Sequence, residues 1–176
     1  MQKERPEPFI TADAIAKRIR ELGEAISNEY PDATEENPLA LVAVLKGACI
    51  FAADLIRTLS IPCTIQFISA SSYGSGTVSS GQVELDHDLA VEGRAVLVIE
   101  DIVDTGLTIL KITETLQEQN PSSLRICTLL DKPSARVHPV RVDHVGFSVP
   151  DRFLIGYGID WNEHYRELPY LALLDA

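Results

Sequence analysis

The run Val96-Leu97-Val98-Ile99-Glu100-Asp101-Ile102-Val103-Asp104-Thr105-Gly106-Leu107-Thr108 constrains this chain more than any other segment. Val96 to Ile99 is a continuous apolar stretch, the pattern of a parallel strand buried on both faces. Glu100 and Asp101 follow where that strand is expected to end, and Asp104 opens a short Thr/Gly turn. Across residues 109–119, Ile109, Ile112 and Leu116 recur at helical spacing. The order is strand, acidic loop, helix. In open α/β sheets, ligands bind where strand C-termini meet helix N-termini.

The turn offers specific chemistry. Backbone N–H groups at a helix N-terminus lack partners and carry the positive end of the helix dipole. Thr105, Gly106, Leu107 and Thr108 can aim such donors, with their hydroxyls, at a phosphate. Gly106 permits close backbone approach. Glu100 and Asp101 suit sugar hydroxyls or a hard cation such as Mg²⁺. A phosphate end, a diol end and a divalent cation together describe a site for a phosphorylated sugar.

The rest of the chain reads as alternating strands and helices. Ile15, Ile19, Leu22 and Ile26 mark a helix over 11–29, with Thr11 as N-cap and Pro31 ending it. Residues 39–45 form an apolar run, a buried strand, and Lys46-Gly47 turns into a helix over 48–59. Strands are expected over 61–70, 82–85, 124–130, 145–149 and 153–157. A short helical turn is expected near Asn162 and Glu163, followed by an apolar 171–174. Residues 71–81, SSYGSGTVSSG, are rich in Ser and Gly and read either as a flexible hairpin loop or as an active-site lid. Such alternation implies an α/β fold: a mostly parallel twisted sheet with helices on both faces. No repeat or linker divides the 176 residues, so one domain is expected.

Composition excludes several classes. No apolar stretch approaches the roughly 20 residues a membrane span needs. The opening MQKERPEPF lacks a signal-peptide core, so a cytoplasmic location is the expectation. The net charge of −11 argues against a nucleic-acid footprint, though local cations and backbone dipoles can still bind a phosphate. Cys49, Cys63 and Cys127 sit in apolar contexts and read as buried, reduced thiols, without zinc spacing. The histidines show no ligand spacing. A P-loop is absent, and Gly74-Ser75-Gly76 and Gly156-Tyr157-Gly158 begin a dinucleotide fingerprint without completing it.

The acidic run closely resembles the phosphoribosyl-pyrophosphate (PRPP) motif of the type I phosphoribosyltransferases, in the form of their hypoxanthine-guanine branch. The resemblance continues through Leu45-Lys46-Gly47, Ser71-Ser72-Tyr73-Gly74, Leu129-Leu130-Asp131-Lys132-Pro133-Ser134, Pro150-Asp151-Arg152-Phe153 and Arg166, in the family's order. It implies a core over about 35–145, a small hood from 1–12 and 146–176, and a lid at 71–81 with Ser71, Ser72, Tyr73 and Gly74. It implies transfer of the 5-phosphoribosyl group from PRPP to N9 of hypoxanthine or guanine, a purine-salvage reaction giving IMP or GMP and pyrophosphate. Mg²⁺ is the implied cofactor, and a homodimer or homotetramer the implied assembly.

The resemblance also assigns roles. Asp104 to Thr108 would bind the 5′-phosphate, and Asp104 would exchange a proton at purine N7. Seen alone, Asp104 also reads as a helix N-cap, a role that does not exclude the other. Glu100 and Asp101 would face the ribose hydroxyls, directly or through Mg²⁺. Lys46, Gly47 and Arg166 would bind pyrophosphate, with a cis Lys46–Gly47 peptide left open. Read without context, Lys46-Gly47 is ordinary turn chemistry and Arg166 a surface residue. Lys132, otherwise a surface lysine, would donate to the exocyclic oxygen that separates 6-oxopurines from adenine. Phe153, otherwise core, would stack on the base while the Leu154 backbone reads its edge. Asp160 would meet the 2-amino group of guanine through its backbone and Mg²⁺ through water.

Two other readings compete. A uracil-type relative that regulates RNA shares the fold and PRPP motif, but the strong negative charge opposes it. A phosphoacceptor receiver domain begins with a similar acidic strand end, but here that strand starts at Val96, too late for a whole receiver.

Overall fold

The computed structural model describes residues 5–69 and 89–174. At its centre is a five-stranded parallel sheet in the order β2-β1-β3-β4-β5. The strands are β1 (Leu39–Leu45), β2 (Cys63–Ser69), β3 (Ala95–Val103), β4 (Ser123–Asp131) and β5 (His144–Ser148). Alternate residues of the inner strands serve opposite faces, as the strand period requires. Leu39, Leu41, Leu97 and Ile99 face one core, and Ala40, Val42, Val96 and Val98 the other.

Helices cover both faces. Helix α1 (Ala12–Glu29) starts at Thr11, whose hydroxyl accepts from the Ala14 N–H at 3.3 Å. It buries Ile15, Ile19, Leu22 and Ile26 beside Phe51, Ala52 and Leu55 of α2 (Cys49–Ile56). Helix α3 (Leu107–Gln117) buries Ile109, Ile112 and Leu116 on the opposite face. Each of these side chains contributes about 1.5–3 kcal/mol by leaving water. That burial fixes the direction of α3 and aims its N-terminus at the strand ends.

The strand order reverses between β1 and β3, the crevice where open α/β sheets bind ligands. The ladder shows how the crevice opens. β1 pairs with β3 only as far as Ala43 opposite Ile99, while β3 stays paired with β4 through Val103 opposite Asp131. Glu100 and Asp101 therefore lie inside β3, not beyond its end as the apolar pattern suggested. The continuing β4 partner holds them in extended backbone, and the side toward β1 is open.

A second, two-stranded antiparallel sheet pairs β6 (Phe153–Ile155) with β7 (Ala172–Leu174). The N-terminal segment joins it: Ile10 bridges Leu171, and the Phe9 N–H donates to the Leu171 carbonyl at 2.8 Å. The two terminal segments thus build one small layer of their own.

Three local expectations change. Residues 161–165 form no helical turn: Asn162, Glu163 and Tyr165 have φ of 52°, 64° and 76°, and Trp161 and His164 exchange backbone hydrogen bonds of 3.1 Å. Helix α3 runs from Leu107 to Gln117, two residues earlier than its apolar spacing indicated. The thiols are free, but only Cys127 is buried, while Cys49 and Cys63 are half-buried. The expected lid at 71–81, with Ser71, Ser72, Tyr73 and Gly74, and the strand at 82–85 lie outside the described residues. Among the described residues no helix is long and apolar enough to cross a membrane.

Candidate active site

The crevice gathers side chains from several strand ends. After β1 comes the Lys46-Gly47 turn. A cis peptide is present there, one bond earlier than considered, between Leu45 and Lys46. Gly47 faces Asp101 of β3 directly: a Cβ at Gly47 would lie 1.8 Å from Asp101 Oδ2. A side chain at Gly47 would have to push the Asp101 carboxylate aside, so glycine is what allows so close an approach.

Glu100 and Asp101 form the acidic floor. Glu100 is buried, and its Oε1 accepts from the Asp101 N–H at 3.1 Å. Burial first, then the neighbouring Asp101 charge, pushes the Glu100 carboxyl well above its ordinary value of 4.5. This carboxylate pair, Glu100 buried and Asp101 half-buried, has no basic side chain acting on Glu100 among the described residues. It fits a divalent cation that takes one or two protein carboxylates and completes its shell from water and substrate oxygens. Among the described residues no group of three or more His, Cys, Asp or Glu side chains could hold a metal ion on its own.

Beyond Val103 the chain turns into α3. Gly106 is the N-cap, with φ of 89° and no side-chain cap bond, so Asp104 is not the cap its position suggested. Asp104 instead faces Lys132 at the end of β4, with Nζ 3.6 Å from Oδ2. Lys132 is buried, and Asp151 approaches it from the other side at 3.7 Å. Both separations exceed hydrogen-bond length, so these are ion pairs. The ammonium keeps donors for another acceptor.

The last cluster lies beside the Lys46 turn. Lys46 Nζ is 3.2 Å from the Glu163 carboxylate, and Arg166 Nη2 is 2.8 Å from Asp160 and 3.5 Å from Glu163. The Lys46 ammonium beside Glu163 holds that carboxyl below the usual range. Asp160 also accepts from the Glu163 N–H at 2.8 Å. Arg166 Nε is buried and has no acceptor among the described residues. Phe153 of β6 leaves 46% of its surface exposed, its ring meets that of Trp161 edge-to-face with centroids 5.1 Å apart, and Leu154 is buried.

The phosphoribosyl transferase domain family matches residues 10–162. The chain belongs to this family. Among phosphoribosyltransferases it is 47% identical over 171 residues to the hypoxanthine-guanine phosphoribosyltransferase of Mycobacterium tuberculosis, covering 95% of this chain and 85% of that one. It is 46% identical over 168 residues to the enzyme of the same name from Bacillus subtilis, covering 94% and 91%. A solved hypoxanthine phosphoribosyl transferase from Trypanosoma cruzi superposes with a TM-score of 0.91 at 39% identity, over 99% of this chain and 94% of that one. These relatives put the chain in the hypoxanthine-guanine branch of the type I phosphoribosyltransferases. The uracil-type, RNA-regulating alternative draws no support from them.

Sequence reasoning passed over several residues of this phosphoribosyltransferase crevice. Arg136 donates from Nε to the Asp104 carbonyl at 3.1 Å and from Nη2 to the Val103 carbonyl at 3.4 Å, and it pairs with Asp131. The Val137 and His138 N–H groups donate to the Thr105 carbonyl at 3.0 and 2.9 Å. Residues 136–138 thereby wrap the turn from behind. Nothing in the sequence marks Arg136, because most of its partners are backbone carbonyls remote in the chain. Asp151 and Glu163 carried no assigned role. Asp151 at least sits in the Pro-Asp-Arg-Phe motif, which was a usable signal.

Proposed function

We propose that this chain transfers the 5-phosphoribosyl group of PRPP to N9 of hypoxanthine or guanine, giving IMP or GMP and pyrophosphate. The observation that carries the proposal is the buried Lys132 ammonium, set between Asp104 and Asp151 beside the N-terminus of α3. A cation with spare donors at that position selects a base bearing a carbonyl, and the helix turn next to it suits a phosphate.

In this reading Asp104 to Thr108 take the 5′-phosphate through backbone N–H groups and hydroxyls. Glu100 and Asp101 accept from the ribose hydroxyls and, with Asp160 through water, would hold Mg²⁺. The ion would supply positive charge against the leaving pyrophosphate. Lys46, the Gly47 backbone and Arg166 bind that pyrophosphate. Their present partners, Glu163 and Asp160, must yield to it, and the unpaired Arg166 Nε gains an acceptor. Lys132 donates to the exocyclic oxygen of the base. Phe153 stacks on the ring, and the backbones of Leu154 and Asp160 read its edge. Asp104 exchanges the proton at N7 as the bond to N9 forms. Developing positive charge on the ribose, as in other glycosyl transfers, is met by the acidic floor. The active protein is a homodimer or homotetramer.

The test is incubation with PRPP, Mg²⁺ and each of hypoxanthine, guanine, xanthine and adenine, with nucleotide formation followed by absorbance. Product is expected with hypoxanthine or guanine and not with adenine. Folded protein that yields no product with either 6-oxopurine refutes the proposal. Omitting Mg²⁺ is expected to abolish turnover.

A further inference from the structure

Gly156-Tyr157-Gly158 completes no nucleotide fingerprint, yet its backbone is unusual. Its φ angles are 101°, 48° and 97°, all in the region that favours glycine. For Tyr157 that conformation is disfavoured, so its surroundings must hold it there. The Tyr157 N–H donates to the Leu168 carbonyl at 2.8 Å, and the Gly158 N–H to the Arg166 carbonyl at 3.0 Å. The residue is 7% exposed, and its hydroxyl donates to the Asp54 carboxylate of α2.

The flanking glycines explain what this elbow touches. A Cβ at Gly156 would lie 2.0 Å from the Tyr170 carbonyl oxygen, and one at Gly158 would lie 2.3 Å from the Gly47 carbonyl oxygen. The elbow is therefore seated on the backbone of the Lys46-Gly47 turn. Arg166 Nη1 donates to the Gly158 carbonyl at 2.7 Å. Immediately before the elbow is β6 with Phe153, and one residue beyond it come Asp160 and Trp161. The Tyr157–Asp54 bond ties this assembly to α2, the helix that leaves the Lys46-Gly47 turn.

We propose that Tyr157 is a positioning residue: its hydroxyl, bonded to Asp54, holds the Phe153–Leu154 base wall in fixed register with the Lys46-Gly47 and Arg166 pyrophosphate end. It touches neither substrate. The inference rests on the transferase reading above. Burial and the Asp54 carboxylate both push the Tyr157 phenol up, so it remains a donor at working pH. Because the contacts it aligns form before the chemical step, its loss acts on binding of ground and transition states alike.

Steady-state kinetics of variants test this, with wild-type turnover measured first. Absence of wild-type product overturns the transferase reading itself. With active wild type, Tyr157→Phe is expected to raise KM for both PRPP and hypoxanthine by about five- to tenfold while kcat stays within about twofold. Asp54→Asn, which keeps an acceptor for the hydroxyl, is expected to retain wild-type KM. Asp54→Leu, which removes the acceptor, is expected to match Tyr157→Phe, and the double variant is expected to be no worse than either. Unchanged KM values in folded Tyr157→Phe, even with a lowered Tm, overturn the inference. Should Tyr157→Phe fail to fold, the contrast between Asp54→Asn and Asp54→Leu decides alone, and equal KM values for the two overturn it.

Discussion

Asp104 and Glu100 are carboxylates four residues apart with opposite circumstances. Asp104 is about half exposed and faces the Lys132 ammonium. A base positioned over Lys132 would present N7 to it, and general acid–base help is worth about 10²–10⁴-fold in rate. Asp104→Asn keeps shape and removes the proposed proton exchange. It is expected to lower kcat by about that range with little change in KM for PRPP, read by steady-state kinetics. Glu100 is buried, and its carboxyl titrates well above 4.5 because burial and Asp101 oppose its charge. A raised folded-state value means the folded protein holds a proton the unfolded chain has released. The stabilisation is thus complete below about pH 4.5 and is lost as pH rises through the raised value. Without divalent cation, Glu100→Gln is expected to raise Tm at neutral pH and flatten its decline as pH rises above about 4.5, in thermal melts across a range starting there. A wild-type melt equally stable across that range would contradict it. Glu100 stood out in the sequence because an acidic pair, Glu100-Asp101, after an apolar run is unusual, whereas Asp104 was singled out by its place in the resembled motif. Lys132 was not legible from its neighbours, since Asp-Lys-Pro describes a surface turn as well as a buried ammonium.

The elements differ in how far local sequence determined them. Strand and helix positions followed from apolar runs and helical spacing, since burial on two faces of one sheet leaves little freedom. Turns depended on contacts distant in the chain. Gly106 caps α3 without a side-chain bond, and what holds that turn is Arg136, thirty residues on. The left-handed backbone at Asn162, Glu163 and Tyr165 is different: it accompanies a local Trp161–His164 bridge and an Asp160 carboxylate that accepts from the Glu163 N–H, and only Asn162 is a residue type that favours it. Arg136 and Asp131 are both mostly buried, with 17% and 16% of their side chains exposed. Removing one partner of such a pair leaves an uncompensated charge, at a cost of about 3–5 kcal/mol. Arg136→Ala is expected to lose stability of that order in urea denaturation. In the surviving folded fraction, KM for PRPP is expected to rise more than KM for hypoxanthine, because the displaced turn is the proposed phosphate end. Equal stability and unchanged KM values would show that the clamp carries neither role.

At the scale of the whole molecule, the charge balance bears on how an anionic substrate arrives. The chain carries a net charge of −11. The crevice cations do not offset this with a free positive funnel: Lys46 faces Glu163, Arg166 faces Asp160 and Glu163, and Lys132 faces Asp104 and Asp151. Attraction for PRPP is therefore short-ranged and realised only once those pairs exchange partners. The long-range field of the molecule repels the ligand. Screening separates the two ranges, since the Debye length is about 30 Å at 0.01 M salt and about 8 Å at 0.15 M. At the lower value the whole acidic surface acts on an approaching anion; at the higher value only groups in the crevice do. With Mg²⁺ saturating, kcat/KM for PRPP is expected to rise by about twofold between these ionic strengths, the opposite of a basic, steering cleft. Measuring kcat/KM across a sodium chloride series at fixed Mg²⁺ checks the sign. A steep fall over the same range would mean that the crevice cations act at long range despite their paired carboxylates, and that the acidic exterior has no part in substrate encounter.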